Sequence, residues 1–128
     1  MRVEVYSAVM STNTGSRIVR AADGPQSEID ADGARGLTEA SLLSFEDGPG
    51  NFDVRYVRLQ AGGVSSDHAH PHEQANYVLS GHARVHVDGE EHDVGPGDFV
   101  YAAGGSRHRI DNTGDEELVM LIMRGPMR

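Results

Sequence analysis

The chain has 128 residues and a formal charge of −9, contains no cysteine, and carries arginine at all 11 of its basic positions. That length suits one domain, residues 1–128, able to bury roughly two thirds of its unfolded surface without staples. The missing cysteines exclude disulfides, thiolate metal sites and cysteine nucleophiles, the missing lysines exclude Schiff-base catalysis, and the negative charge argues against a nucleic-acid partner.

Met1 to Tyr6 has no apolar signal core, and no apolar run reaches membrane-spanning length. A cytoplasmic protein with no membrane partner is therefore expected. Residues 2–10 alternate apolar and polar around Val3 and Val5, which suits a short edge strand. From Ser11 to Gly36 the chain is rich in Ser, Thr, Gly, Asp and Ala, so a long loop is expected with one short strand at Arg17–Arg20. Leu37 to Phe45 reads equally as a strand or a helical turn, and Asp47-Gly48-Pro49-Gly50 ends it as a turn.

Stronger signals follow. Asp53–Leu59, Ala75–Leu79, His82–Val87, Glu91–Val94, Phe99–Ala102, Arg107–Asp111 and Leu118–Met123 alternate or run apolar, with glycine at most corners between them. Asp88-Gly89 favours a two-residue hairpin with a primed turn. Many short strands at regular spacing, and no long amphipathic helix, predict an antiparallel sandwich or barrel.

Six of the seven histidines fall between positions 68 and 92, and the seventh is His108. Three of them, with a carboxamide, sit within His68-Ala69-His70-Pro71-His72-Glu73-Gln74, directly before an apolar strand. Neutral imidazole is the commonest metal ligand, so the stretch points to a metal site.

Two motifs resemble those of the cupin superfamily. Gly62, His68, His70, Gln74 and Gly81 match the spacing of its first motif, with glutamine where most members carry an acidic ligand. Gly97-Asp98, Phe99-Val100-Tyr101, Ala103-Gly104-Gly105, His108 and Asn112 match the second, with alanine in place of the usual proline. The resemblance covers about residues 53 to 123. It implies an all-β fold, a double-stranded β-helix (jelly-roll) barrel over about 40–125, with an extended N-terminal strand and loop over 1–36. It also implies a homodimer, in which N-terminal strands such as 2–6 are often exchanged.

The metal ligands implied are His68, His70, Gln74 and His108. His68 and His70 are two apart and share a strand face. Three imidazoles and an amide oxygen suit one divalent transition metal: zinc, iron, nickel, manganese, cobalt or copper. Replacing carboxylate by carboxamide leaves the ion its full charge, which favours Lewis-acid over redox chemistry. Glutamine cannot act as a general base, so the proton-moving candidates are other residues. His72 shares the parity of His70 and reads as a fifth ligand, a proton shuttle or a solvent-exposed ring. Arg55 and Tyr101 are candidates for lining a catalytic cavity, with a core role the alternative for Tyr101. Asn76 shares the parity of Gln74 and stands where sulfonium-lyase cupins are expected to carry tyrosine. Tyr77 and Glu73 are expected outside the pocket, and His82, His86 and His92 on a solvated hairpin face. Asn112 is expected to brace backbone.

The likeness to polyketide-cyclase and uronate-processing cupins implies a small-molecule cyclase, lyase or isomerase. An iron- or nickel-dependent dioxygenase is the second possibility, and a non-catalytic small-ligand-binding module the third.

Overall fold

A computed structural model describes residues 9–11, 15–23 and 26–126. The strand expected at 2–6 lies outside them. Among the described residues twelve strands run in chain order: β1 (Val9–Ser11), β2 (Arg17–Val19), β3 (Ser27–Ile29), β4 (Arg35–Leu43), β5 (Asp53–Val64), β6 (His68–Ala69), β7 (Gln74–Ser80), β8 (Ala83–Val87), β9 (Glu90–Val94), β10 (Phe99–Ala102), β11 (Arg107–Asp111) and β12 (Leu118–Arg124). The helical content of the described residues is two short 3-10 turns, at Ala21–Asp23 and Ala31–Gly33. None is long and apolar enough to cross a membrane.

β1 and β2 form a separate hairpin, and the other ten strands make one curled sheet, the wall of a jelly-roll barrel. Its order is β10-β7-β12-β5-β11-β8-β9, with β4 also on β5, β3 on β4 and β6 on β11. All pairs are antiparallel. The ambiguous segment after Leu37 is thus a strand, and the described residues of the loop expected over 11–36 include β2, β3 and both 3-10 turns, with β1 ending at Ser11 and β4 already under way at Arg35. β5 runs past its expected end at Leu59 because Gly62 and Gly63 carry it around the barrel. Gly62 has φ of 77°, and a Cβ on Gly63 would lie 2.8 Å from the Arg35 carbonyl oxygen, so the bend requires glycine. Beyond it Val64 pairs with Asp111 of β11. Asp88 and Gly89 both have positive φ, as the primed hairpin turn requires.

Register determines what faces inward, because directly opposite residues share a face. Leu118 lies beside Leu59, and Met120 between Val57 and Val78. These five side chains are buried and anchor the core with Leu37, Ala83, Val85 and Ile110. Each fully buried aliphatic side chain contributes roughly 1.5–3 kcal/mol. Two residues further along, Ile122 lies between Arg55 and Asn76, and then Arg124 between Asp53 and Gln74. The interior therefore grades from an apolar floor to a polar upper layer. Phe99 and Tyr101 pair with Tyr77 and Ala75 on the opposite face of the sheet.

Candidate metal centre and its cavity

The site begins with strand pairing. His68 of β6 lies directly opposite His108 of β11, and Ala69 opposite Arg107. The pairing stops at Ala69, and Pro71, which cannot donate to a ladder, comes two residues later and keeps it from resuming. The turn that carries His70 then folds onto the β10–β11 loop, where the Gly105 N–H donates to the His70 carbonyl oxygen at 2.8 Å. Gly104 lies beneath it: a Cβ there would sit 2.5 Å from the Pro71 carbonyl oxygen.

These contacts bring three rings together. The His68, His70 and His108 centroids are 4.8–5.0 Å apart in each pair. One ligand nitrogen from each lies within 4.8 Å of the others, so the three side chains could hold a metal ion. Their hydrogen bonds fit that use. His108 Nδ1–H donates to the Ser106 carbonyl oxygen at 3.1 Å, and His70 Nδ1–H to that of His72 at 3.0 Å. Each neutral ring therefore presents a bare Nε2 lone pair, the usual arrangement of a histidine ligand oriented by a backbone carbonyl. His108 Nε2 is buried with no hydrogen-bond partner.

Gln74 adds a second sign of a cation site. Its Nε2–H donates to Asn76 Oδ1 at 2.9 Å, which turns Oε1 toward His70 Nε2 at 3.0 Å. Both atoms of that contact offer lone pairs, and a cation shared between them would satisfy both. The donor set is neutral, which suits a divalent transition metal. Burial pushes the His68 pKa down to about 4, with His108 and His70 adding to the fall. Burial also lowers the pKa of His108 and His72. His68 and His108 are thus held in the neutral, ligating form at physiological pH.

The cluster opens on a cavity of about 160 Å³ inside the barrel. Its floor is Leu37, Val57, Leu59, Ile110 and Met120, and its polar wall includes Glu39, Arg55, Gln74 and Arg124. Arg55 donates to Glu39 at 2.6 Å and to Asp53 at 3.1 Å. Burial opposes its charge, but those two carboxylates prevail and hold its pKa above the ordinary value.

The other expected site residues fall in different places. Asn76 is buried behind Gln74, which it holds. His72 is half-buried rather than exposed: it stacks on Phe45 at 5.6 Å and meets the His70 ring edge-on at 5.0 Å, beside the three-ring cluster. Tyr101 neither lines the barrel cavity nor belongs to the core. Its register opposite Ala75 turns it outward, where it is 52% exposed. Tyr77 and Glu73 are exposed, as expected. His82 and His92 are exposed too, but His86 is not a freely solvated side chain: Asp111 lies 2.9 Å away and Glu91 3.3 Å. Asn112 braces backbone, donating to the Leu59 and Glu116 carbonyl oxygens. Glu39 and Arg124 were not anticipated. Arg124 could have been, since it continues the inward parity of Leu118, Met120 and Ile122 by one step.

The family model of the cupin domain matches residues 55–124, more than half of the chain. The chain belongs to the cupin family. Among cupins of known sequence it is 26% identical over 117 residues to an oxalate-binding protein of Thermotoga maritima, covering 89% of this chain and 97% of that one. Among solved structures it resembles one described as a predicted oxalate decarboxylase from the same species. That likeness has a TM-score of 0.80 and 25% identity, over 86% of this cupin and 99% of the other chain. The polyketide cyclase RemF of Streptomyces resistomycificus shares the fold, with a TM-score of 0.75 at 23% identity over 84% of this cupin and 77% of RemF.

Proposed function

We infer that this cupin is a metal-dependent enzyme acting on a small, oxygen-rich molecule by a non-redox route, as a lyase, isomerase or cyclase. The observation that carries the reading is the convergence of His68, His70 and His108 with the Gln74 amide oxygen at a polar-walled cavity of about 160 Å³. A cavity of that order holds a ligand about the size of benzene, which favours compact substrates over polycyclic ones. Bound to this neutral donor set, a divalent ion supplies Lewis acidity toward a substrate oxygen, with none of its charge offset by a carboxylate ligand.

The chain's own residues divide the remaining work. Arg55 lies in the wall of the cavity, where its ion pairs with Glu39 and Asp53 hold it in place, so that it orders the polar wall rather than binding the substrate directly. Asn76 orients Gln74. His72, against His70 but outside the cluster, is the candidate to move a proton. Tyr101 is placed to meet only a ligand that reaches the outer surface. The test is to load the protein with zinc under exclusion of oxygen and assay compact hydroxy-, keto- and enol-acids for elimination, isomerisation or ring closure. Turnover without oxygen supports the reading. Oxygen consumption coupled to turnover, with zinc inactive and iron active, sinks it in favour of a dioxygenase.

A second reading is a binding protein without turnover. It is favoured by the relative named for binding oxalate, and by the ion pairing of Glu39 and Asp53, which leaves neither as a free base. Stoichiometric oxalate binding by the metal-loaded protein, with every tested substrate unchanged, would establish it.

A further inference from the structure

Arg55 and Arg124 are neighbours in the cavity wall, yet their situations differ. Arg55 holds both nearby carboxylates, Glu39 and Asp53, by direct hydrogen bonds. Arg124 makes no hydrogen bond to either. Its Nε lies 3.8 Å from Asp53 Oδ1, beyond bonding distance, and is buried with no partner. The side chain is only 18% exposed. Burial lowers its pKa first, and the charge of Arg55 lowers it further, against the weaker pull of Asp53 and Glu39.

A buried guanidinium nitrogen without a hydrogen bond is costly, because its lost hydration is not replaced. Interiors rarely keep such groups unless something outside the fold satisfies them. The position of Arg124 says what that would be. It lines the cavity, and it lies directly across the ladder from Gln74, whose Oε1 is 3.0 Å from His70 Nε2. Its charge is also felt at His68, His72 and His108. One compact ligand can therefore reach both the histidine cluster and the guanidinium. Near the cavity, Arg55 and Arg124 face Glu39, Asp53 and the exposed Asp32, and a divalent ion on the histidines turns that balance positive.

We propose that Arg124 is the anchor for a substrate carboxylate, so that the site takes a small anion with one oxygen-bearing end at the metal and a carboxylate on the Arg124 guanidinium. This rests on the Lewis-acid reading for the metal end alone. The planar fork of arginine matches a carboxylate with two parallel N–H···O bonds, whereas an ammonium at the same place offers a point charge. Arg55 is already occupied by Glu39 and Asp53, which leaves Arg124 as the available donor.

The test uses malonate as the dicarboxylate probe and malonamide as its neutral counterpart. Calorimetric titration of the zinc-loaded protein should show malonate binding weakened on the order of tenfold to a hundredfold by Arg124→Gln, and partly weakened by Arg124→Lys. Malonamide should bind both variants and the parent chain alike. In the metal-free protein, malonate should raise the melting temperature of the parent chain and leave that of Arg124→Gln unmoved. Without ligand, Arg124→Gln should melt at the same or a higher temperature than the parent. Equal malonate affinity in parent and variant overturns the proposal. So does an Arg124→Gln chain that melts lower or does not fold, since Arg124 would then be the structural partner of Asp53. Failure of the parent to bind zinc would remove the Lewis-acid reading, while the metal-free melting experiment would still decide the role of Arg124.

Discussion

His68 and His108 sit directly opposite each other in the β6–β11 ladder, their ring centroids 4.8 Å apart, although 40 residues separate them in sequence. The ladder places both rings, and each contributes little to the core. His108→Ala should therefore reduce zinc affinity by more than the roughly 10–100-fold that loss of an outer hydrogen-bond partner costs. The far-ultraviolet circular dichroism should not change. Chelator competition measures the first quantity; a variant that unfolds, or that binds zinc as the parent does, would contradict the assignment.

Acid should destabilise the metal-free protein in a defined window. The His68 pKa is held at about 4 by burial and by its neighbouring rings, and burial keeps His108 and His72 below 6.5 as well. Unfolded histidines titrate near 6.5, so between that pH and about 4 the unfolded chain binds more protons than the folded one. Stability then falls as pH falls through this window, and these groups leave it flat above. Asp111, whose pKa its bonds to Arg109 and His86 hold below the usual value despite burial, adds its loss mostly lower down, below about 4. Urea midpoints at pH 7, 5.5 and 4 should decline steadily, and less steeply in His68→Gln. Zinc should leave over the same range, below about pH 6. A midpoint that is constant from pH 7 to 4 would contradict the burial of these rings.

Gly104 tests whether the backbone around the cluster holds the rings in place. A Cβ there would stand 2.5 Å from the Pro71 carbonyl oxygen, far inside contact distance. Gly104→Ala should push the His70 turn away from the β10–β11 loop and weaken zinc binding by about tenfold. Because what must give way is backbone rather than a flexible side-chain end, the variant should also lose stability. Identical zinc affinity in the variant would show that the two loops adjust independently of the site.

Much of this was legible in the sequence, and the failures share one cause. The strands from Phe99 to Asp111 follow directly from alternation and turn chemistry, and the histidine spacing names the cluster. Which face of a strand looks inward depends on pairing register, and register is a property of two strands. Tyr101 is expected at the cavity wall but pairs opposite Ala75 and turns outward. Arg124 was missed because β12 extends one residue beyond its expected end at Met123, and that residue is the one facing Gln74. His86 is expected to be solvated because its own strand alternates, yet Asp111 across the β8–β11 sheet engages it. In each case the deciding partner is distant in sequence.

Gln74 carries the last prediction. Its amide is buried between His70 and Asn76, with Oε1 toward the ring and Nε2–H donating to Asn76. Gln74→Glu keeps the oxygen facing His70 and adds a negative charge beside three imidazoles. Zinc should bind about tenfold more tightly, since even at an effective dielectric of 20 an added charge near the ion is worth on the order of several kcal/mol before its own desolvation is subtracted. Proton release from the rings should also move to higher pH, because a carboxylate favours the charged imidazole. Any turnover should fall rather than rise, as the added ligand charge reduces the acidity of the ion. Asn76→Leu offers the complementary change: it removes the acceptor that orients the amide and should loosen zinc by roughly 10–100-fold without altering net charge. Chelator competition across parent, Gln74→Glu and Asn76→Leu measures both effects, and equal affinity in all three would show that residue 74 is not part of the donor set.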